Sequence, residues 1–393
     1  MELKACLPPH TFEAVNEENF PYFFGRSLQG LYLEFQPQVK GTVFVCTQVH
    51  NGFGDYIALL KAGWALKKAH PDLNIELVYT YTKALPEVDT QGLLTHPFLE
   101  HPDHPVLEPI LEGKKIEEVS AEAILAETLY DRMKESLAII HIALALNTFD
   151  NPELKAKSIY FAEVGNFMGV KDSIHFNWYS LGFSPFEEGV FLDLPVKTKE
   201  NPELFFGYFS RSDAQKMLFK ELAFKLQEKA KFEIPEKTLA YREFIEKMAD
   251  SAFLVGCTGD NSLSECLALK KVPYYEILPH KTQLMLSLYN LAKHLDLVSI
   301  THYFLAVAKG EKASLEELLS ALKNPSFEKE WPKFIEYLHK YCRLEDALVS
   351  RLRRLLFGTA SIELELANKM LKKELDFPEA WEQMKKELRE KSL

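Results

Sequence analysis

Cysteine is scarce. There are five in 393 residues (Cys6, Cys46, Cys257, Cys266 and Cys342), with no Cys-x-x-C pair among them. Neither a disulfide framework nor a structural zinc site can be built on that spacing. Cys46 and Cys257 sit in apolar runs and read as inert core thiols, which suits a reducing compartment. No Lys/Arg run is present and the formal net charge is −11, so nothing basic awaits a nucleic-acid backbone. The longest mid-chain apolar stretch, residues 137–146, is too short to span a bilayer and reads as a buried strand or helix. The opening MELKACLPPH has no charged segment leading into an apolar one. A secretory signal is therefore not expected; a cytoplasmic location is, with leaderless export as the alternative. The faintly secretion-like Glu-rich end, EAWEQMKKELREKSL, is equally an ordinary surface helix. Walker A, G-x-S-x-G, H-E-x-x-H and Asp-x-Asp patterns are all missing, which leaves P-loop, serine-elbow, zincin and metal-carboxylate chemistry without residues.

What is present is an ordinary globular composition, 47% hydrophobic and 26% charged, long enough for two domains. Aromatics are plentiful, with 28 Phe, 16 Tyr and 4 Trp to fill two cores. Residues 1–40 show no clean period and read as an arm on the first domain. Residues 42–49 (TVFVCTQV) read as a buried parallel strand, 50–55 (HNGFGD) as a turn, 56–70 as a helix stopped by Pro71, and 75–81 as a second strand. That is a βαβ unit, and 158–164 (SIYFAEV) reads as a later strand of its sheet. After Pro202 the alternation resumes. Strands are expected over 204–209, 252–256 and 273–277; helices over 213–230, up to 249, over 263–270 and over 282–294. The class is α/β, with a doubly wound sheet in each half. The expected units are residues 1–198, 199–312 and a helical, charge-laced 313–393 packing on both. The boundary falls near the proline-flanked stretch 195–202 (PVKTKENP).

Ligands of open α/β sheets bind at the carboxyl ends of strands, and two turns at such ends carry polar residues. The first is Asn51-Gly52-Phe53-Gly54-Asp55. Its glycines permit close approach by a ligand, or merely turn the chain while Asp55 caps the following helix. The second is Thr258-Gly259-Asp260-Asn261-Ser262. It opens a helix directly after a strand, an anion site suited to a diphosphate. It also reads as a capping box, with Ser262 as the cap and Glu265 three residues on.

These residues resemble the EarP family, protein-arginine rhamnosyltransferases that act on translation elongation factor P. The first turn is similar to that family's Asp-Asn-Tyr-Gly-Asp. Leu181-Gly182-Phe183 is similar to its mid-chain Leu-Gly-Phe, and Phe206-Gly207-Tyr208 to its Phe-x-Tyr strand. Gly259-Asp260-Asn261-Ser262 is similar to its Gly-Glu-Asp-Ser, and Ile277-Leu278-Pro279-His280 to its Ile-Tyr-Pro-Gln. The resemblance runs to about residue 300. It implies a GT-B fold, two Rossmann-like domains facing across a cleft, and inverting transfer from dTDP-rhamnose. The departures are chemical: Asn51 stands where the family has its first catalytic Asp, Asp260 for a Glu, Asn261 for an Asp, and Thr258 for an Arg.

On that resemblance, Asp55 is expected to orient or deprotonate the acceptor, with Asp260 reaching in from the opposite lobe and Asn51 beside them. Gly52, Phe53, Gly54, Gly259, Asn261 and Ser262 would hold the donor. Phe206 and Tyr208 would line its pocket, one of them serving as core. Tyr241 and Phe244 would stack the base, and His280 and Gln283 would touch the donor. The substrate is expected to be a dTDP- or UDP-sugar and the acceptor a protein, an elongation factor among the possibilities. No metal or cofactor, nucleic acid or membrane span is expected. A non-catalytic binding module and a nucleotide-sugar epimerase or hydrolase are the competing readings, the first favoured by Asn51.

Overall fold

The computed structural model describes residues 3–49, 54–81, 117–118, 127–143, 151–162, 177–194, 196, 199–235, 239, 241–278 and 282–392. Two short helices, α1 (Phe20–Ser27) and α2 (Gln29–Glu34), precede the first sheet. That sheet comprises β1 (Thr42–Val49), β2 (Asn74–Tyr81), β3 (Glu117–Glu118), β4 (Ala138–Ala143), β5 (Ser158–Ala162) and β6 (Trp178–Ser180). Helix α3 (Gly54–Ala69) links β1 to β2, α4 (Glu127–Glu135) precedes β4, and α5 (Pro152–Ala156) precedes β5. All strands run parallel in the order β3-β2-β1-β4-β5-β6, a Rossmann-like doubly wound arrangement whose switch point lies between β1 and β4. The β-branched run of β1 is covered on both sides, as a central parallel strand must be. Val43 faces α3 in the main core, while Phe44 and Cys46 join Leu129, Met133 and Leu154 on the other face. The 137–146 stretch contains strand β4, buried throughout.

The second α/β unit has β7 (Leu204–Phe206), α6 (Asp213–Leu226), β8 (Lys231–Glu233), α7 (Tyr241–Asp250), β9 (Leu254–Cys257), α8 (Asp260–Ala268), β10 (Val272–Tyr275) and α9 (Thr282–His294). Strands β7 and β8 pair in parallel, as do β9 and β10. The two ladders meet where the Tyr208 amide donates to the Gly256 carbonyl at 2.9 Å and Ala252 to Leu204 at 2.6 Å, aligning β8-β7-β9-β10.

The remainder is helical: α10 (Val298–Ala308), α11 (Leu315–Leu322), α12 (Phe327–Tyr341), α13 (Leu344–Phe357), α14 (Ala360–Leu371) and α15 (Phe377–Lys391). Helix α13 crosses back onto α3 and α2. Its Arg353 Nη1 donates to the carbonyls of Tyr32, Leu33 and Phe35 at 3.0, 3.0 and 3.2 Å, neutralising the carboxyl end of α2. Residues 20–35 are therefore not simply an arm on the first sheet. Phe24, Leu28, Leu31 and Tyr32 build a separate core with Phe357, Leu366, Phe377, Met384 and Leu388, joining the two ends of the chain. The α/β class and the helical C-terminal region agree with the sequence reading. Two parallel Rossmann-like units with a returning helix is the layout of the GT-B type. No helix among the described residues is long and apolar enough to cross a membrane.

Candidate functional site

The structure brings together the helices that follow the two turns singled out in the sequence, α3 after β1 and α8 after β9. Asn51, Gly52 and Phe53 fall outside the described residues, as does His280. Gly54 and Asp55 open α3, and Gly259 precedes α8. The Asn261 amide Nδ2 donates to the Gly54 carbonyl at 2.8 Å, so the amino ends of α3 and α8 meet. A Cβ at position 54 would stand 3.3 Å from that same nitrogen, close enough that the amide would have to give by a few tenths of an ångström. Asp55 and Asp260 each adjoin a residue of this bond, one from each unit. Both are half-buried, and Asp260 accepts from the Tyr275 hydroxyl at 3.2 Å.

The contact is locked one turn further along. Lys61 on α3 and Glu265 on α8, only 3% and 2% exposed, form an ion pair at 2.8 Å. Lys61 Nζ also lies 3.5 Å from Asn261 Oδ1. The Tyr241 hydroxyl donates to the same Glu265 oxygen at 2.7 Å. Burial, with the Glu265 charge beside it, holds the Tyr241 phenol well above its usual pKa, so it stays a donor.

The capping-box reading of the second turn does not hold. Gly259 at φ +80° is the N-cap, a conformation L side chains avoid, and it starts the helix at Asp260, earlier than expected. The Ser262 hydroxyl donates back to the Thr258 and Gly259 carbonyls, and Glu265 faces Lys61 rather than the helix end. No side chain caps α8, so its dipole is left to backbone N–H groups.

The aromatic candidates divide. Phe206 is fully buried and packs edge-on against Phe244 at 5.5 Å, while half-buried Tyr208 packs on the same ring at 5.6 Å. An accessible base-stacking platform at Tyr241 and Phe244 is not what the packing provides, since both rings lie in the core. Gln283 is exposed on the first turn of α9.

Two participants were not singled out in the sequence. Lys61 is one of three lysines in the expected helix 56–70, and nothing in the sequence sets it apart. Glu276, fully buried at the end of β10, accepts from the Ser210, Arg211 and Ser212 amides at 2.8, 2.9 and 2.6 Å. Burial alone would raise its pKa, but these donors outweigh it and the carboxyl ends below its usual range. It thereby fixes the loop after β7, whose Ser210 Oγ lies 3.2 Å from Thr258 Oγ1. Glu276 lies inside the expected strand 273–277, one residue past the observed strand end at Tyr275, but an acidic residue at a strand end is rarely informative alone.

No protein-family model and no curated protein matches the chain. Among solved structures it is similar to an α-glucosyltransferase in complex with UDP and a 13-mer DNA (9% identity, 77% of this chain and 96% of that one, TM-score 0.43). It is also similar to a spinosyn rhamnosyltransferase (9%, 79% and 99%, 0.40). A third is a UDP-N-acetylglucosamine 2-epimerase-like protein from Listeria monocytogenes (11%, 87% and 99%, 0.41).

Proposed function

We propose that the chain is an inverting glycosyltransferase that takes a nucleotide-diphosphate sugar between its two units. A deoxyhexose such as rhamnose on dTDP or UDP is the leading donor, and a protein side chain, arginine among the candidates, the acceptor. The observation that carries this is the 2.8 Å bond from Asn261 to Gly54, which joins the loop-bearing end of each sheet. In the proposed reaction the acceptor's lone pair attacks the anomeric carbon and the bond to the diphosphate breaks. The acceptor proton passes to Asp55, and the leaving charge meets the backbone N–H groups at the start of α8. Asp260 orients the sugar or acceptor. An arginine acceptor keeps its proton to a pKa above about 12, so carboxylates would polarise it rather than deprotonate it outright. With Asn51 in place of an Asp the site has one charge fewer for that task, which supports an acceptor other than arginine, or a binding-only role.

The test is incubation with UDP-, dTDP- and GDP-sugars. One donor should raise the unfolding temperature and be slowly hydrolysed, and Asp55→Ala should slow that hydrolysis by about 10²–10⁴-fold. Hydrolysis at the wild-type rate in Asp55→Ala removes the assigned base. Tight binding without turnover selects the binding module, and interconversion of sugars the epimerase.

A further inference from the structure

The buried charge beneath the carboxyl ends of β7 and β9 decides where the hydroxyl protons there must point. Glu276 Oε2 accepts from the Ser210 amide at 2.8 Å and from the Ser210 hydroxyl at 3.0 Å. Its Oε1 accepts from the Arg211 and Ser212 amides at 2.9 and 2.6 Å. These donors hold the carboxyl below its usual range, so it is ionised at neutral pH. An ionised carboxylate only accepts, and Ser210 must therefore donate to it. Turned outward, the Ser210 proton would leave lone pairs facing a buried anion.

Ser210 Oγ also lies 3.2 Å from Thr258 Oγ1. One proton belongs between these two oxygens, and the Ser210 proton is already used. Thr258 is thus the donor, and its proton points inward whether it goes to Ser210 Oγ or to the Glu276 carboxylate. Ser262 spends its proton inward as well, on the Thr258 and Gly259 carbonyls. Ser210 is exposed and Thr258 partly so, and what their oxygens offer outward is lone pairs. Asp260, two residues past Thr258, adds a carboxylate to the same strand end. A phosphate oxygen is itself an acceptor and gains nothing from such neighbours, whereas a group that donates does. Two neutral oxygens side by side suit neighbouring hydroxyls of one ring better than a cation, because the charge they rest on is already met by four donors.

Given the nucleotide-sugar reading, on which this rests, we propose that the Ser210–Thr258 pair determines specificity by accepting from hydroxyls of a sugar ring, either the ribose of the nucleotide or the transferred sugar. Glu276 is the positioning residue that turns both hydroxyls into acceptors. The diphosphate is left to backbone N–H groups.

Glu276 stays in place in the test, because removing its charge would strand the Ser210, Arg211 and Ser212 amides. Calorimetric titration of the full chain with UDP-, dTDP- and GDP-glucose finds the base that binds. That nucleotide sugar, its nucleoside diphosphate and the 2′,3′-dideoxy form of the diphosphate are then titrated into wild type, Thr258→Val and Ser210→Ala. Thr258→Val keeps the shape and removes the hydroxyl, and it carries the test alone should Ser210→Ala fold poorly. Loss of one acceptor should weaken binding about 3–10-fold. Weakening with the nucleotide sugar and the nucleoside diphosphate, but not with the dideoxy form, identifies the ribose. Weakening with the nucleotide sugar alone identifies the transferred sugar. Equal weakening of all three ligands overturns the proposal, because the hydroxyl then serves the diphosphate. Unchanged binding in both variants overturns it too. If the wild type binds none of the three nucleotide sugars, the nucleotide-sugar reading itself falls and takes this inference with it.

Discussion

Glu345 shows how much one side chain can hold at the residue scale. It opens α13 fully buried, one oxygen accepting from the Leu192 and Asp193 amides at 2.7 and 2.6 Å and the other without a partner among the described residues. Burial pushes its carboxyl up to about 7, against about 4.5 when exposed. The protonated form is thus the one the fold prefers, and its stabilisation, on the order of 3 kcal/mol, fades as pH rises from 4.5 through 7. Glu345→Gln should therefore gain stability relative to wild type at pH 8 and little at pH 5, read by urea unfolding at both. An equal difference at the two pH values would show that the carboxyl does not titrate in this range. Nothing in the sequence marks Glu345, because its environment is supplied by a segment some 150 positions away.

Among the elements, the junction of α3 with α8 is the one whose failure should be felt furthest. Lys61→Met leaves Glu265 buried with only the Tyr241 hydroxyl beside it, and should cost about 3–5 kcal/mol. Adding Glu265→Met should recover much of that loss, because no stranded charge remains. Denaturant titration of the single and double variants decides; a single variant that loses under 1 kcal/mol would show that the pair is not a clamp. The elements themselves were largely legible. β1, β2 and α9 are readable because β-branched runs and helical spacing persist over their whole length. The start of α8 was misread because the signal weighed was Ser262, whereas the deciding feature is the positive φ of Gly259. The short β6 and β8 have three residues each, too few to show a period. The joining of the two turns was inferred only through family resemblance, since no local pattern states which distant loop an asparagine will touch.

For the molecule as a whole, acid should be the weak side. Burial holds His10, His70 and His141 down to about 3, 4 and 3, with Arg26 adding to the effect at His10 and Arg353 at His70. An unfolded chain would bind protons at all three near pH 6.5, so stability conferred by the neutral rings is lost as pH falls from 6.5 toward 4. Three histidines outweigh the opposite pull of Glu345. Unfolding temperatures measured across that range should drop, and a flat profile would mean that the rings are hydrated in the native state. The helical core shared by Phe24, Leu28 and Tyr32 with Phe377, Met384 and Leu388 has a consequence for biosynthesis. A chain leaving the ribosome presents those first aromatic rings hundreds of residues before their partners exist. The early segment must wait uncovered, or be shielded by a chaperone, until the helices that carry Phe377, Met384 and Leu388 have been made.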